Sequence, residues 1–405
     1  MHQTNALPLA GLKVVEFCTT VAGPACARLL ADFGADVIKI EPPGGDPVRQ
    51  MGYHFNDVAL YTASLLRGKR SIVLDLKQEK CVEIAASLVE QADFVVENYR
   101  PGVLERLGLG YEAMSVRNPG LIMIRISGYG QYGPYAERPG YGAICEAVAG
   151  VRHMTGDPDR PPARVALPTT DYFTSVFAAY GAMVALHERH KTGRGQVVDA
   201  ALYEAAFTQM ETIVPAYDKL KVVPKREGPN LASMAPNSLY ATRDGKYFLI
   251  AANNAATWKR LVMAMEQPEL ETDPRFATIR ERGKSERIRE LNAIVEAWTC
   301  QFDARDLERR LLAAQVPCSL VYTIEDIYQD EHYQAREMLV RVPHPTLGHT
   351  TQIGVVPRLS RTPGTIRRTG PVLGQDTASV LKTELGWSDE AIRSVQKLCA
   401  EQFTP

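Results

Sequence analysis

The sequence predicts an α/β protein with a mostly parallel sheet, and three patterns lead to this prediction. Short β-branched runs such as LKVVEF (12–17) alternate with helical patterns through the first 130 residues. Helices such as Gln78–Ala92 separate the runs, and βαβ units of this kind build parallel sheets. A chain of 405 residues is too long to fold around one hydrophobic core, so we expect about two or three domains.

Each element follows from its own local pattern. A helix is predicted after Pro24, because Leu29, Leu30 and Phe33 share one face. Apolar residues recur with helical spacing over Asp171–His190, which predicts a second helix with an apolar stripe. Strands are predicted at 12–17, 35–40, 71–76, 94–97, 121–126 and 196–199, and further helices at 143–150 and 200–214.

The second half of the chain changes character. Residues 215–236 are charged, contain four prolines and have no regular period, which predicts a linker. Two strand-like runs then flank Asp244-Gly245, the residues typical of a hairpin turn. These patterns predict a small α+β domain of helices at 255–265, 285–300 and 303–314 and strands at 238–242, 246–252 and 318–322, followed by helices at 376–385 and 388–400.

Composition excludes several classes of partner. Lys and Arg total 46 against 47 Asp and Glu, so no basic excess attracts a nucleic acid. The N-terminus has no basic region before an apolar run, and no apolar run approaches the roughly 18 residues of a membrane span. The seven cysteines are far apart and the eight histidines scattered, so we expect a cytoplasmic protein without a metal site.

Two local features leave alternatives open. Arginines and lysines gather near the predicted strand–helix junctions, where they either bind phosphates or form a solvated rim. Asp171 opens an apolar-striped helix, so it is either an N-cap or a carboxylate nucleophile. A nicotinamide site is not expected, because the first βα turn has only Gly23 where three glycines are needed. The basic residues are Arg67, Lys69, Arg70, Lys77, Arg100 and Arg106.

A series of ordered motifs resembles the class III CoA-transferases over essentially the whole chain. This family includes formyl-CoA:oxalate CoA-transferase and the related α-methylacyl-CoA racemase. The motifs are GLKVVEFCTTVAGPACARLLADFGADVIKIEPPGGDPVR (11–49), GKRSIVLDLK (68–77), VVENYRPGVLERLGLGY (95–111), ISGYGQYGPYAERPGYG (126–142), DYFTSVFAAYGAMVALHERHKTGRGQVVDAALYE (171–204), LYATRDGKYFLIA (239–251) and LGQD (373–376).

The resemblance implies an architecture that the patterns alone do not suggest. It implies a Rossmann-like large domain built from both chain ends, a small α+β domain, and an interlocked ring-like homodimer. The domain limits expected on this basis are 1–214 for the large CoA-binding domain, 215–236 for a linker, 237–335 for the small domain, and 336–405 for a second linker and the return to the large domain.

The resemblance also implies roles for particular residues. Asp171 falls on the catalytic aspartate of the family, and Tyr141 on a tyrosine that lines the CoA and catalytic site. Ala22 and Gly23 match the turn beside the acyl group, where backbone N–H groups can stabilise an oxyanion. The segments that match CoA contacts contain Leu74, Asp75, Leu76, Lys77, Asn98, Tyr99 and Arg106.

The implied activity is transfer of CoA from an acyl-CoA to a free carboxylic acid through covalent intermediates on Asp171. No permanently bound cofactor is expected, since acyl-CoA is the substrate. Val21, Pro42 and the segment 228–236, with its single glycine, depart from the oxalate enzyme, so oxalate is not the expected acceptor. Arg138, Arg152 and Arg164 either bind a distal carboxylate or are solvated.

The main alternative is a racemase, which needs a base opposite Asp171. Tyr141 stands at that position, and its reference pKa near 10 suits a base poorly. Two weaker alternatives remain. Asp171 in its motif disfavours a CoA-binding protein without catalysis, and the missing glycines of the first βα turn disfavour a dehydrogenase.

Overall fold

The computed structural model describes residues 7–400, which divide into two compact units. The large unit contains the chain up to Val151, Val165–Lys219 and the chain from His332, and the small unit contains Arg152–Arg164 and Leu220–Glu331. The domain limits expected from the sequence stay a prediction, and their first six and last five residues lie outside the described range.

A six-stranded parallel sheet forms the centre of the large unit, as the sequence predicts. Its strand order is β5-β2-β1-β6-β7-β8, and every neighbouring pair is parallel. A small antiparallel ribbon, β3 with β4, was not predicted. The strands are β1 Lys13–Phe17, β2 Asp36–Glu41, β3 His54–Phe55, β4 Val58–Ala59, β5 Lys69–Val73, β6 Phe94–Glu97, β7 Ile122–Ser127 and β8 Val197–Ala201.

The predicted strand at 71–76 is shifted in the structure. Strand β5 ends at Val73, because Asp75 forms a turn that leads into the next helix. The Asp75 carboxylate accepts the N–H of Lys77 at 3.1 Å, and its carbonyl accepts the N–H of Gln78 at 2.9 Å. Residues 74–77 are therefore a turn at the carboxyl end of the sheet.

Helices cover both faces of this sheet. The predicted helix at 200–214 is wrong in detail: a strand end, two helices and a 3-10 turn (Thr208–Met210) occupy this stretch, and the second helix extends into the predicted linker. The helices in this half of the chain are α1 Ala22–Asp32, α2 Leu60–Leu65, α3 Glu79–Glu90, α4 Val103–Arg106, α5 Tyr111–Arg117, α6 Gly142–Val148, α7 Val151–Met154, α8 Thr169–Thr192, α9 Leu202–Phe207 and α10 Ile213–Leu220. After Val151, α7 belongs to the small unit, as does Leu220 at the end of α10.

Successive side chains of each strand point to opposite faces of the sheet, so the core of the large unit has two layers. Val14 on β1 joins a cluster with Phe94 and Val96, whereas Val15 and Phe17 join the cluster on the opposite face. Both faces of the sheet are therefore covered, as is usual for parallel sheets. Ligands of such folds bind at the carboxyl ends of the strands.

Helix α8 buries mainly small side chains and exposes most of its large apolar ones. The small buried residues let α8 pack closely against α1. The buried residues are Thr170, Thr174, Ser175, Ala178, Ala182, Ala185 and, near the C-terminal end, Leu186. The apolar stripe predicted from the sequence is exposed instead. Its exposed members are Phe173 (41%), Val176 (57%), Phe177 (43%), Tyr180 (66%) and Val184 (50%).

The small unit contains an antiparallel sheet of order β11-β10-β9. The predicted hairpin is confirmed, with Gly245 in the left-handed conformation (φ +73°) at its turn. Tyr240, Phe248 and Trp258 lie in its core. The elements are β9 Asn237–Ala241, β10 Tyr247–Ala251, α11 Ala255–Ala264, α12 Ile279–Arg282, α13 Ser285–Thr299, α14 Ala304–Ala313, β11 Cys318–Leu320 and α15 Ile324–Gln329. The next helix, α16 Glu331–Ala335, belongs to the large unit from His332 onward.

The C-terminal part of the chain packs on edge strand β5 of the large unit. The Ser71 N–H donates to the Asp376 carboxylate at 2.9 Å, and the Val73 N–H donates to the Thr377 hydroxyl at 3.2 Å. The elements of this part are β12 Leu339–His344, β13 Gly348–Ile353, α17 Thr377–Leu385 and α18 Asp389–Ala400. Over residues 7–400, no helix combines the length and the apolar character that a membrane span needs.

Candidate active site

A cavity of about 200 Å³ lies in the large unit at the carboxyl ends of β1, β6 and β7. The turns that follow these three strands form its walls, together with the first turn of α8 and the residue before α6. This is where a parallel α/β sheet binds its ligands. Lining residues are Thr19, Thr20, Val21, Ala22, Asn98, Tyr99, Arg100, Pro101, Ile126, Ser127, Gly128, Ala136, Arg138, Pro139, Gly140, Tyr141, Asp171 and Leu202.

Asp171 lies half-buried in the first turn of α8 and lines this cavity. The helix begins at Thr169 after Pro168, so the N-cap interpretation of Asp171 is wrong. A Cβ atom on Gly142 would lie 2.1 Å from the Asp171 Oδ2. The start of α6 therefore approaches the carboxylate so closely that only glycine fits beside it.

The same carboxylate affects a nearby thiol. Burial, and after it the negative charge of Asp171, raise the pKa of Cys145 to about 11. The Cys145 Sγ donates to the carbonyl of Gly128 at 3.3 Å. This thiol is therefore protonated near neutral pH and is a poor nucleophile there.

The N-terminus of α1 forms the wall that contains Val21 and Ala22. No side chain caps it, and Pro24 has no N–H, so Val21, Ala22 and Gly23 carry the N–H groups of this helix end. The Ser175 hydroxyl donates to the Ala22 carbonyl at 2.7 Å and contacts the Asp171 carbonyl at 2.7 Å. Ser175 therefore joins the start of α1 to the turn of α8 that carries Asp171.

The turn after β6 contributes Asn98 and Tyr99 to the cavity. The Asn98 side chain accepts the Thr19 N–H at 2.9 Å and donates to the Thr19 carbonyl at 2.8 Å. Burial raises the pKa of Tyr99 to about 12. Beneath this turn, Glu97 accepts the Tyr99 N–H at 2.8 Å and pairs with Arg125 at 2.7 Å.

Five of the sequence-predicted site residues therefore line one cavity, namely Ala22, Asn98, Tyr99, Tyr141 and Asp171, and Gly23 is adjacent to it. The segment Leu74–Lys77 and Arg106 do not line it. Leu74 and Asp75 are buried, Leu76 is half-buried, and Lys77 and Arg106 are exposed. A role of these five residues in CoA binding stays a prediction.

Three of the clustered basic residues belong to internal ion pairs. Lys69 is fully buried 2.6 Å from Glu16, and Arg67 is buried 2.7 Å from Asp32. Arg70, only partly exposed, pairs with Asp36 and Glu384. For these three residues, both the phosphate-binding and the solvated-rim interpretations are wrong, since isolated sequence positions do not reveal partners that are distant along the chain.

Arg138, one of the three arginines considered for a distal carboxylate, lines the cavity. Its guanidinium carbon lies 3.5 Å from the centroid of the Tyr135 ring, an arrangement that fixes the side chain by a cation–π contact. Arg152 and Arg164 belong to the small unit and do not line this cavity.

The part of the chain that the structure describes contains no group of three or more side chains suited to a metal ion.

The fold and this cavity define an α/β protein with a carboxylate, Asp171, at the carboxyl ends of its parallel strands. Residues 9–377 match the model of CoA-transferase family III, and the chain belongs to this family. It is a CoA-transferase that acts between an acyl-CoA and a carboxylic acid.

Named relatives agree with this assignment. The chain is 44% identical to the succinyl-CoA–D-citramalate CoA-transferase of Chloroflexus aurantiacus, over 96% of this chain and 97% of that protein. It is 32% identical to the mouse succinyl-CoA:glutarate CoA-transferase, over 97% and 89% of the two chains. A crystal structure of a CaiB/BaiF family protein from Brucella suis superposes with a TM-score of 0.82 at 33% identity, covering 94% of this chain and all of that one.

Proposed function

We propose that the protein transfers CoA from succinyl-CoA to a small carboxylic acid, with Asp171 as the nucleophile. The observation that carries this proposal is the Asp171 carboxylate, which lines the same cavity as the uncapped N-terminus of α1. The donor follows from the relatives, since the D-citramalate and glutarate enzymes are both named for succinyl-CoA.

The reaction proceeds through covalent intermediates on Asp171. Its carboxylate attacks the thioester carbonyl, the C–S bond breaks, and a mixed anhydride and CoA thiolate form. The thiolate attacks the aspartyl carbonyl, giving an aspartyl-CoA thioester and free succinate. The acceptor carboxylate attacks this thioester, and the returning thiolate then takes the acceptor acyl group and restores Asp171. One thioester replaces another, so no nucleotide is consumed, and each step has a lower barrier than direct exchange.

Two parts of the cavity stabilise these steps. The N–H groups at the start of α1 are donors for the oxyanion that develops on the attacked carbonyl. Arg138 is the proposed partner of the distal carboxylate of the succinyl group, because this cationic residue lines the same cavity as Asp171.

The CoA moiety is proposed to extend from this cavity along the carboxyl edge of the sheet. Asn98 and Tyr99 lie at the cavity, and Leu74–Lys77 follow β5 at the same edge. Lys77 and Arg106 are exposed and suit the phosphates. The racemase alternative gains no support, since Tyr141 is 67% exposed and has no shielded position from which to act as a base.

We also propose that the active protein is a homodimer, as the family resemblance implies. The exposed apolar stripe of α8, Phe173 to Val184, supports this proposal, because contiguous exposed apolar surface marks an interaction site. Two copies of the same face match each other in a symmetric interface. The proposal includes the interlocked arrangement that the family resemblance implies, in which each ring-like subunit threads the other.

Replacement of Asp171 tests the proposed mechanism. Asp171→Ala should lower turnover with succinyl-CoA and an acceptor acid such as D-citramalate or glutarate by about 1,000-fold or more, because the nucleophile is lost. CoA affinity, measured by calorimetry, should stay within about twofold, since CoA contacts lie elsewhere.

Asp389→Asn is the matched control, because this exposed carboxylate on α18 pairs only with Lys382, at 2.9 Å, among the ion pairs of residues 7–400. Its turnover should equal that of the wild type. Retained turnover in Asp171→Ala, or no aspartyl adduct in acid-quenched wild-type protein by mass spectrometry, would contradict the mechanism.

A further inference from the structure

Two fully buried charged residues, Lys39 and Asp46, lie beneath the turn that joins β1 to α1. We propose that they are positioning residues, which fix the backbone N–H donors at the start of α1 against the reacting carbonyl. This inference rests on the proposed function, since it assigns those donors to the oxyanion.

Lys39 binds the beginning of the turn. Its ammonium group donates to the Cys18 carbonyl at 2.6 Å and to the Glu16 carboxylate at 3.0 Å, and it lies 2.8 Å from the Asp46 Oδ2. Burial opposes the charged form, but Glu16, Asp46 and Glu41 outweigh burial and hold the pKa of Lys39 above its usual value. The group is therefore a fixed cation under the turn.

Asp46 binds the middle of the turn. Its Oδ1 accepts the Thr20 N–H at 2.9 Å and the Val48 N–H at 2.9 Å. Thr20 has φ +68°, a conformation that β-branched residues rarely adopt and that persists only where the surroundings hold it. The Asp46 carboxylate supports this conformation through its bond to the Thr20 N–H, and Asp46 is itself anchored because its own N–H donates to Glu41 at 3.0 Å.

Side chains thus bind four successive backbone groups of the turn. The Cys18 carbonyl is bound by Lys39, both polar groups of Thr19 by Asn98, and the Thr20 N–H by Asp46. The next N–H groups along the chain are those at the uncapped start of α1, where Val21 and Ala22 line the cavity. Their direction follows from the conformation of Thr20, and hence from Asp46 and Lys39.

Stability alone does not account for this ion pair. Buried ion pairs are often replaceable by apolar residues of similar volume without loss of stability, because desolvation offsets their attraction. A rigid arrangement of donors, in contrast, raises the rate of the chemical step, since no reorganisation is needed when charge develops. The location of this pair directly under the cavity wall favours the second role.

Substitution of Asp46 separates a positioning role from a structural one. Asp46→Ala removes the acceptor for Thr20 and should slow formation of the aspartyl adduct by about 10- to 100-fold, with KM for succinyl-CoA nearly unchanged. Asp46→Asn keeps an oxygen at the same place and should recover most of the rate. The rate is measured by rapid acid quench and mass spectrometry and is normalised to the amplitude of adduct formation, so that unfolded protein does not contribute.

Asp32→Ala is the matched control. Asp32 is equally buried, pairs with Arg67 at 2.7 Å, and lies at the opposite end of α1 from the cavity. This variant should lower Tm but leave the adduct rate unchanged. If Asp46→Ala does not fold, the double variant Lys39→Met/Asp46→Leu removes both turn contacts without leaving an unpaired charge, and it should also slow the adduct rate.

Three results would overturn the inference: a wild-type adduct rate in the folded Asp46 or double variant, an Asp46→Asn variant as slow as Asp46→Ala, or an equal slowing in Asp32→Ala. Failure of the proposed function is a different result, because it appears as retained turnover in Asp171→Ala.

Discussion

The small size of Gly142 directly limits the position of the Asp171 carboxylate. A methyl group at this position would overlap the Asp171 carboxylate, and the backbone there does not have the positive φ that would itself disfavour alanine. Gly142→Ala should therefore displace the carboxylate and lower kcat by about 100-fold, the size of effect expected for a displacement of about 1 Å.

The control for this variant is Gly120→Ala, since a Cβ atom on Gly120 meets only ordinary contacts at 3.6 Å or more. Steady-state kinetics of both variants with succinyl-CoA provide the measurement. Equal kcat values for Gly142→Ala and the wild type would show that the carboxylate does not need its present position.

At the same scale, the proposed role of Arg138 in binding the distal carboxylate leads to a prediction about acyl-group preference. Arg138→Gln removes the charge but keeps a hydrogen-bonding side chain, so KM for succinyl-CoA should rise about tenfold, as expected for a lost charged hydrogen bond. KM for butyryl-CoA, which has no distal carboxylate, should not change. A parallel rise for both substrates would assign Arg138 to CoA or to general folding instead.

Residue by residue, the resemblance predicted more of the site than the local patterns did. It placed Ala22, Asn98, Tyr99, Tyr141 and Asp171 in positions that the structure brings to one cavity. Neither the resemblance nor the local patterns identified the buried charged residues beneath the turn between β1 and α1. An isolated lysine in a strand or an aspartate in a loop is usually solvated, so only the three-dimensional contacts of Lys39 and Asp46 identify them.

Among the elements, the end of β2 is held to its neighbours by Glu41. This buried carboxylate pairs with Arg49, accepts the Ser71 hydroxyl at 2.6 Å, and accepts the Asp46 N–H at 3.0 Å. Burial alone would raise its pKa, but Arg49, Lys39 and Ser71 together hold the pKa below its usual value of 4.5.

A carboxyl group with a lowered pKa stabilises the fold above pH 4.5, and this stability is lost as the pH falls through the folded-state value. Glu41→Gln should therefore lower the free energy of unfolding by about 3 kcal/mol at pH 7, and by less at pH 3. Urea unfolding at both pH values measures the difference. Glu83→Gln, in an exposed pair with Lys80, is the control and should change stability by less than about 1 kcal/mol at either pH. A deficit for Glu41→Gln that does not depend on pH would contradict the assignment.

The sequence patterns predicted most of the elements, because β-branched runs and apolar spacing act locally. They did not reveal which face of α8 is buried. Large apolar side chains such as Phe177 and Tyr180 predict a core, whereas in the structure alanines take that place and allow α1 to approach. A hydrophobic stripe carries no information on whether it contacts its own core or another chain.

For the whole molecule, this exposed stripe leads to a prediction about assembly. The double variant Phe177→Glu/Tyr180→Glu places two charges in the middle of the proposed interface and should convert the dimer to the monomer of 44.7 kDa. Light scattering after gel filtration measures the mass. Lys80→Glu, on the exposed side of α3, is the control and should remain a dimer. A wild-type mass of one chain would contradict the homodimer.

The pairing of β5 with the C-terminal part of the chain also has a consequence for biosynthesis. Ser71 and Asp376 form a direct hydrogen bond although 305 residues separate them. A ribosome that adds about 5–20 residues per second needs roughly 15–60 s to synthesise the chain from Ser71 to Asp376. Throughout this interval the edge of the parallel sheet has no native neighbour on that side, while most of the small unit, Leu220–Glu331, emerges as one continuous piece. All six strands of the sheet have been synthesised long before Asp376, so β5 remains an unpaired strand edge, open to non-native pairing, until the C-terminal part of the chain covers it.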